Sequence, residues 1–523
     1  MRAFGVFGAL LTAVLLVACS DRADEPDDAG IPQAAADVMA KPAYSTARWL
    51  YYFADQETGE VLAENRSDEM VFTASTAKNF TVGTVYDEIG PDTTLTTPVY
   101  ATAAPQNGSV PGLVLVAQGD LAFGGRGAME GRMDNTFTAT TADHVYGDVA
   151  PNAVTPEQDP LAGLDDLARQ VAARGITRVD GDVVIDTRIW ETYAGQEGPV
   201  PSIFVNDNLL DIEITPGTGS GAATVHTTPA TSAFPVRSEV TTGAADSAAA
   251  VTVSPDPADP RTLVVSGSVP EGKPHLTVYR IPDAATWART LFVEALARAG
   301  ITVAAPALAS NEQSGLPAAG TYPEQNEVAS LQSPPMQSFG TMILQTSYNT
   351  GANALLCLLA ARSGSTDCDD GLKTIRAAID KSGIDSDAVV LVDGQGADPA
   401  STTPKQMSGW LTWAAEQPWG DAFVAGQPVL GESGTLGLTG ADSPARGKIA
   451  AKTGTSAAGD PATGRTLFNV QSLAGYLTTD DGRRVVFGLS MSGGTYPDVL
   501  TALVQSNDDV AAVAAAFQQE LSQ

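Results

Sequence analysis

Two side chains three residues apart, Ser75 and Lys78 in the stretch TASTAKNF, are the first candidates for chemistry. A serine hydroxyl is a weak nucleophile until a base takes its proton. Lysine can be that base once desolvation or a neighbouring cation lowers its pKa. Positions i and i+3 of a helix point the same way and reach each other. A helix N-terminus adds backbone N–H groups and the positive end of the dipole beside the serine oxygen. The plainer reading is that Ser75 caps a helix. Lysine is scarce here, and none of Lys41, Lys273, Lys373, Lys381, Lys405, Lys448 and Lys452 has a serine three residues before it. Ser347-Tyr348-Asn349 is, by itself, a helix start or a polar turn. Lys452-Thr453-Gly454 falls on a predicted strand, KIAAKTGTS. A cation on an edge strand can hold a carboxylate while the strand runs antiparallel to a peptide, and Gly454 admits close backbone approach. Lys452 reads as an exposed strand lysine that matters little for stability. His144, His226 and His275 are scattered singly and no Cys/His cluster has zinc spacing, so no metal, no cofactor and no Ser/His/Asp arrangement is expected.

Several elements must position these residues. Trp49–Ser67 reads as strand, tight turn at Glu57-Thr58-Gly59, and strand. Val82, Val85 and Ile89 recur at helical spacing and Gly90-Pro91 is a stop, which places Ser75 at the start of a helix of about four turns. From Thr97 to Ser330 short β-rich runs alternate with Gly-, Thr- and Pro-rich turns, the texture of an inserted β-rich region of one or two subdomains. Two helical stretches interrupt it, LAGLDDLARQVAARGI and ATWARTLFVEALARAGI. Each leads through Gly-Ile-Thr into a strand, a repetition that hints at related subdomains. Helical patterning returns after Gln332. Three strands follow, KIAAKTGTS, FNVQSLAGYLT and RRVVFGLSMSG, the last two joined at the hairpin turn Asp480-Asp481-Gly482. A terminal helix, Pro497–Leu521, is expected to lie across the resulting antiparallel sheet.

The chain has 523 residues, is 43% hydrophobic, and carries 61 acids against 29 bases for a net charge of -32. That balance excludes nucleic acid as a partner and electrostatic adhesion to anionic lipid. Residues 1–18, with Arg2 ahead of the apolar run Ala3–Ala18, read as an export signal too short for a membrane span. It ends in Leu-Val-Ala-Cys, which looks like a bacterial lipobox with Cys19 the acylated first mature residue. The alternative is an ordinary cleaved signal with an incidental cysteine. Residues 19–42, rich in Asp, Ala and Pro, read as a flexible tether. The expected location is the exported side of a bacterial envelope, periplasmic or extracytoplasmic, with membrane contact through a lipid anchor only. Cys357 and Cys368 remain as an even pair in an oxidising compartment and are expected to form a disulfide.

Taken together and in this order, Ser-x-x-Lys, Ser-x-Asn and Lys-Thr-Gly resemble the signature shared by penicillin-binding proteins and class A β-lactamases. The long stretch between the first two motifs exceeds what a β-lactamase needs. It resembles the D-alanyl-D-alanine carboxypeptidase/endopeptidase family, the class C low-molecular-mass penicillin-binding proteins. GITRVDGDVVID (Gly175–Asp186), NDNLLDIEITPG (Asn206–Gly217), SPPM (Ser333–Met336), VDGQGAD (Val392–Asp398) and ESGTL (Glu432–Leu436) look like the same family. Tyr348 departs from the small or polar residue usual within Ser-x-Asn. Asp393-Gly394-Gln395-Gly396-Ala-Asp departs from Asp-Gly-Ser-Gly-Leu-Ser-Arg.

The resemblance implies an α/β (α+β) chain with a β-lactamase/transpeptidase-like catalytic domain, an antiparallel sheet flanked by helices, built from 43–96 and 331–523 around the insert 97–330. It implies acylation of Ser75 by the D-Ala-D-Ala carbonyl of a peptidoglycan stem peptide. Lys78 would be the base, Ser347 a proton relay, and Asn349 would orient Lys78 and the substrate. Lys452 and Thr453 of the Lys452-Thr453-Gly454-Thr455 run would hold the terminal carboxylate. The N–H groups of Ser75 and Thr455 would form the oxyanion hole. Lys452 would be the cation that helps keep Lys78 neutral. β-Lactam antibiotics should acylate Ser75. The rivals are a serine β-lactamase, for which no Glu-x-x-x-Asn counterpart is present, and an inactive envelope scaffold of the same fold.

Overall fold

The computed structural model describes residues 30–523 except 124, 125, 127, 130, 131 and 134–140; the export signal and Cys19 lie outside the described residues. The expected tether ends early. Gln33–Met39 forms a helix, α1, that docks on the C-terminal helix. Ala35 is buried there, Lys41 pairs with Asp509 at 2.5 Å, and the Tyr44 hydroxyl donates to Asp509 at 2.7 Å. Polar composition suggested an unfolded segment, but these few contacts with a preformed partner suffice to order it.

The segment after it builds an antiparallel sheet with the last third of the chain. Arg48–Asp55 (β1) and Val61–Asn65 (β2) pair across the expected turn. Lys78–Glu88 (α2) follows, entered through a 3-10 turn, Ala74–Ala77, that carries Ser75. Met336–Thr346 (α3) and Asn349–Arg362 (α4) are split at Ser347-Tyr348. Ile449–Gly459 (β3), Thr466–Thr478 (β4) and Arg484–Ser492 (β5) complete the sheet, and Val499–Glu520 (α5) closes the chain. The strand order is β2-β1-β5-β4-β3, so the strand bearing Lys452-Thr453-Gly454 lies at the edge.

One face of this sheet packs on α5, where Phe53 stacks on Phe487 and Phe517 with ring centroids 5.2 and 4.3 Å away. The other face packs on helices. There α2 is buried on every side from Lys78 through Tyr86, which is why its sequence shows little amphipathic contrast. Cys357 of α4 is joined to Cys368 by a disulfide at a sequence separation of 11.

The chain leaves this body through Thr96–Ala101 and returns through Glu327–Gln332, and these two strands pair antiparallel, Thr96 opposite Gln332. The two Gly-Ile-Thr steps do not mark separate units. Their strands, Arg178–Val179 and Thr302–Val303, pair in parallel, and the helices before them, Ala162–Ala173 and Ala284–Arg298, pack together in one core. A second, smaller core around Ile212, Val240, Val265 and Val269 sits between two three-stranded sheets. Val145, Trp190, Phe204 and Leu209 of the insert lie in the same core as Phe339 of α3, Leu355 of α4 and Tyr348 between them.

Candidate active site

Ser75 sits in the 3-10 turn that opens α2, half buried. The preceding Ala74 has φ 43°, a left-handed conformation that costs an ordinary residue about 1–2 kcal/mol. The VDGQGAD segment clamps this turn. Gly396, at φ 93°, lies so close that a Cβ there would come within 2.0 Å of the Ala74 carbonyl oxygen, and Asp393 accepts the backbone N–H groups of Gln395, Gly396 and Ala397. From the opposite side β3 closes in. A Cβ on Gly454 would lie 2.5 Å from the Thr73 carbonyl oxygen, so the glycine of Lys-Thr-Gly lets the edge strand touch the turn carrying Ser75.

Lys78 Nζ lies 2.7 Å from Ser75 Oγ, 2.6 Å from Asn349 Oδ1 and 3.1 Å from the Gln395 carbonyl oxygen. The side chain is fully buried. Burial pushes its pKa down to about 7, against the pull of the Asp393 and Glu197 carboxylates. Ser347 caps α3 in the left-handed conformation at φ 60°, and Asn349 opens α4, so a two-residue break between helices turns Asn349 toward Lys78 and Ser347 toward Lys452. Lys452 Nζ donates to Ser347 Oγ at 2.9 Å and to the Thr453 carbonyl oxygen at 2.8 Å. Thr453 Oγ1 donates to Thr435 Oγ1 of the ESGTL segment at 2.8 Å, and Thr455 is exposed beyond it.

Three stretches far apart in sequence thus meet around one point. Two expectations about Lys452 need correction. It is fully buried rather than exposed, because Ser347 and the turn carrying Ser75 cover the edge strand at this position. It is also not what lowers Lys78; desolvation does that. Lys452 is itself driven well below the usual lysine range, first by burial and then by Lys78.

The insert supplies a side chain that the sequence did not flag. Glu197, at the tip of the hairpin formed by Tyr193–Gly195 and Gly198–Val200, accepts a hydrogen bond from Asn349 Nδ2 at 2.5 Å. A lone glutamate in a Gly-Gln-Glu-Gly turn carries no signal of this. Gln395 had one, through the VDGQGAD resemblance; its Nε2 donates to Gln196 of the same hairpin at 3.0 Å. Between hairpin and edge strand opens a cleft of about 700 Å³ with Ser75, Glu197, Asn349, Asp398 and Ser456 in its walls.

A buried lysine against a serine at a helix start, beside an edge strand carrying a second lysine, is the layout of a serine hydrolase that uses lysine where others use histidine. The comparison with known families agrees. The chain belongs to the D-Ala-D-Ala carboxypeptidase 3 (S13) family, whose model matches residues 32–514, and it is therefore a serine peptidase of the D-alanyl-D-alanine carboxypeptidase class. It is similar to the D-alanyl-D-alanine carboxypeptidase of Actinomadura sp. (strain R39), 26% identical over 487 residues, spanning 88% of this chain and 80% of that one. Among solved structures it resembles penicillin binding protein 4 (dacB) from Haemophilus influenzae, with a TM-score of 0.66, 18% identity, and coverage of 94% of this chain and 99% of that one. The same protein in complex with a β-lactam matches with a TM-score of 0.62 at 17% identity, covering 91% of this chain and 97% of that one. The fold is accordingly the expected mixed one, a sheet flanked by helices with a large sheet-rich insert. Among the described residues no helix is long and apolar enough to cross a membrane.

Proposed function

We propose that this carboxypeptidase works on peptidoglycan stem peptides through an acyl-enzyme on Ser75. Ser75 Oγ attacks the penultimate D-Ala carbonyl while its proton passes to neutral Lys78 Nζ. The oxyanion is met by the N–H groups of Ser75 and Thr455, donors of a kind worth about 3 kcal/mol each in the transition state. The C–N bond to the terminal D-Ala breaks, and its nitrogen takes the proton that Lys78 received, relayed through Ser347, which leaves Lys78 neutral again. Lys452 and Thr453 hold the departing carboxylate. Water, giving its proton to Lys78, then attacks the ester carbonyl, releases the shortened peptide and restores the Ser75 hydroxyl. A cross-link whose D-Ala carbonyl is joined to a diamino acid would be cut by the same steps, which adds endopeptidase activity. β-Lactams acylate the same oxygen and leave slowly. The substrate is cell-wall material, so the protein works outside the cytoplasm, held there by lipid on Cys19.

The observation that carries this reading is the 2.7 Å approach of Lys78 Nζ to Ser75 Oγ by a lysine whose burial frees it of its proton near pH 7. The test is incubation of the wild type and Ser75→Ala with a D-Ala-D-Ala pentapeptide, a cross-linked dimer and a fluorescent penicillin. The wild type should release D-Ala and become labelled, and Ser75→Ala should do neither while remaining folded. Labelling of Ser75→Ala, or rapid turnover of a chromogenic cephalosporin by the wild type, would overturn it.

A further inference from the structure

Outside the cleft, the insert buries a cluster of charges that the reaction steps above do not use. Arg126 is fully buried and bonds Asp143 through two nitrogens at 2.8 and 2.6 Å, and Asp207 through Nε at 2.8 Å. The ring of His144 is held at both nitrogens, 2.9 Å from Asp207 and 2.9 Å from Asp211. Burial disfavours a charge on that ring, but the Asp211 and Asp207 carboxylates outweigh it and hold its pKa up near 10. Asp207 reaches both cations from a run in which Asn206, Asp207 and Asn208 all adopt left-handed backbone, at φ 53°, 53° and 56°. Asn and Asp visit that region as single residues; three in succession persist only where surrounding contacts over-determine them. An array this costly calls for something that depends on it.

One hydrogen bond and one packed ring lead from this array to the second motif. Tyr146 lies on the same short 3-10 helix as His144, and its hydroxyl donates to the Ser347 carbonyl oxygen at 3.0 Å. Tyr348 is buried with its ring folded over Gly351, where a Cβ would come within 2.5 Å of the ring. Its hydroxyl is buried without a hydrogen-bond partner among the described residues, burial and the nearby Asp207 carboxylate hold its pKa well above the usual range, and its ring shares a core with Val145, the neighbour of His144. Ser347, between these contacts, is a non-glycine residue at φ 60° and needs outside help to stay there.

We infer that the Arg126–Asp207–His144 cluster, acting through the Tyr146 hydrogen bond and supported by the packed ring of Tyr348, is a positioning device that holds Ser347 in its left-handed conformation and so aims Ser347 Oγ at Lys452. The insert is then part of the machinery that assembles the second motif. Tyr348, out of place as a member of Ser-x-Asn, becomes the ring that packs the motif into the core shared with the insert. This inference rests on the proposed role of Ser347.

The test is Tyr146→Phe, which removes one hydroxyl and keeps the ring. For a hydrogen bond that only aims a proton-relay group, kcat on a D-Ala-D-Ala peptide should fall about fivefold with KM unchanged, and penicillin acylation of Ser75 should slow by a similar factor. The melting temperature should fall by no more than about two degrees. Asp207→Asn, which loosens both cations, should lower the same parameter about tenfold or more; if it fails to fold, Tyr146→Phe decides alone. Unchanged kcat in Tyr146→Phe, or a loss confined to KM or to thermal stability, would overturn the inference. A wild type that penicillin fails to label would instead sink the Ser75 reading itself.

Discussion

Glu197 offers the sharpest test of how the base is tuned. Its carboxylate touches Asn349 Nδ2, while Asn349 Oδ1 touches Lys78 Nζ, so one amide separates the acid from the base. Burial depresses Lys78, and Asp393 and then Glu197 push it back up, leaving it at about 7. A carboxylate at this range supports an ammonium by about one pKa unit or more. Glu197→Gln keeps the amide contact and removes the charge, so the Lys78 midpoint should drop to about 6. Only the neutral amine can take the Ser75 proton, so activity rises with pH through the midpoint. At pH 6 the neutral fraction then grows about fivefold and acylation speeds up. Well above pH 8 both forms are fully neutral, but a base one unit weaker transfers protons more slowly, and the rate should fall about threefold by Brønsted behaviour. The two pH–rate curves must therefore cross. Stopped-flow acylation by a fluorescent penicillin from pH 5 to 9 measures this directly. Parallel curves, or a midpoint that does not move, would refute the argument that Glu197 acts on Lys78 through charge.

Lys452→Met replaces a buried, reluctantly protonated amine by an apolar chain of similar volume. Unfolding stability should change by about 1 kcal/mol or less. Loss of a charge-assisted bond to the substrate carboxylate should cut kcat/KM about 10- to 100-fold, and a variant with near-normal kcat/KM would remove Lys452 from carboxylate binding. Cys357→Ser with Cys368→Ser opens a short loop whose closure should contribute about 2–3 kcal/mol. The pair should unfold in less denaturant yet keep its acylation rate, since neither sulfur touches Ser75 or its partners; equal stability would show the bridge to be dispensable.

The parts of this molecule governed by local pattern were legible in its sequence. Val82, Val85 and Ile89, the Asp480-Asp481-Gly482 turn and the long terminal helix all follow from periodicity and turn chemistry, and the structure has them. The order of three short motifs marked Ser75, Lys78, Ser347, Asn349 and Lys452, and the structure brings all five together. Glu197 and Tyr146 were invisible because each meets its partner, Asn349 or Ser347, at a sequence separation of 152 or 201. Nothing within a few residues of either encodes it. Lys452 was misread as exposed for the same reason: strand pattern says which way a side chain points, and only tertiary packing says what covers it. Likewise, the segment 33–39 looked like tether because its partner helix lies at the other end of the chain.

The pairing of Thr96 with Gln332 has a consequence for how the enzyme can be taken apart. Connectivity alone makes the region between them a long loop hung from neighbouring strand ends, the sort of junction across which a surgeon of sequences would cut and splice a short turn. Packing forbids the operation. Trp190, Phe204 and Leu209 would leave with the excised piece and bare the flank of Phe339, Tyr348 and Leu355. Genetically the insert is an interruption, but physically it is one wall of the building it interrupts.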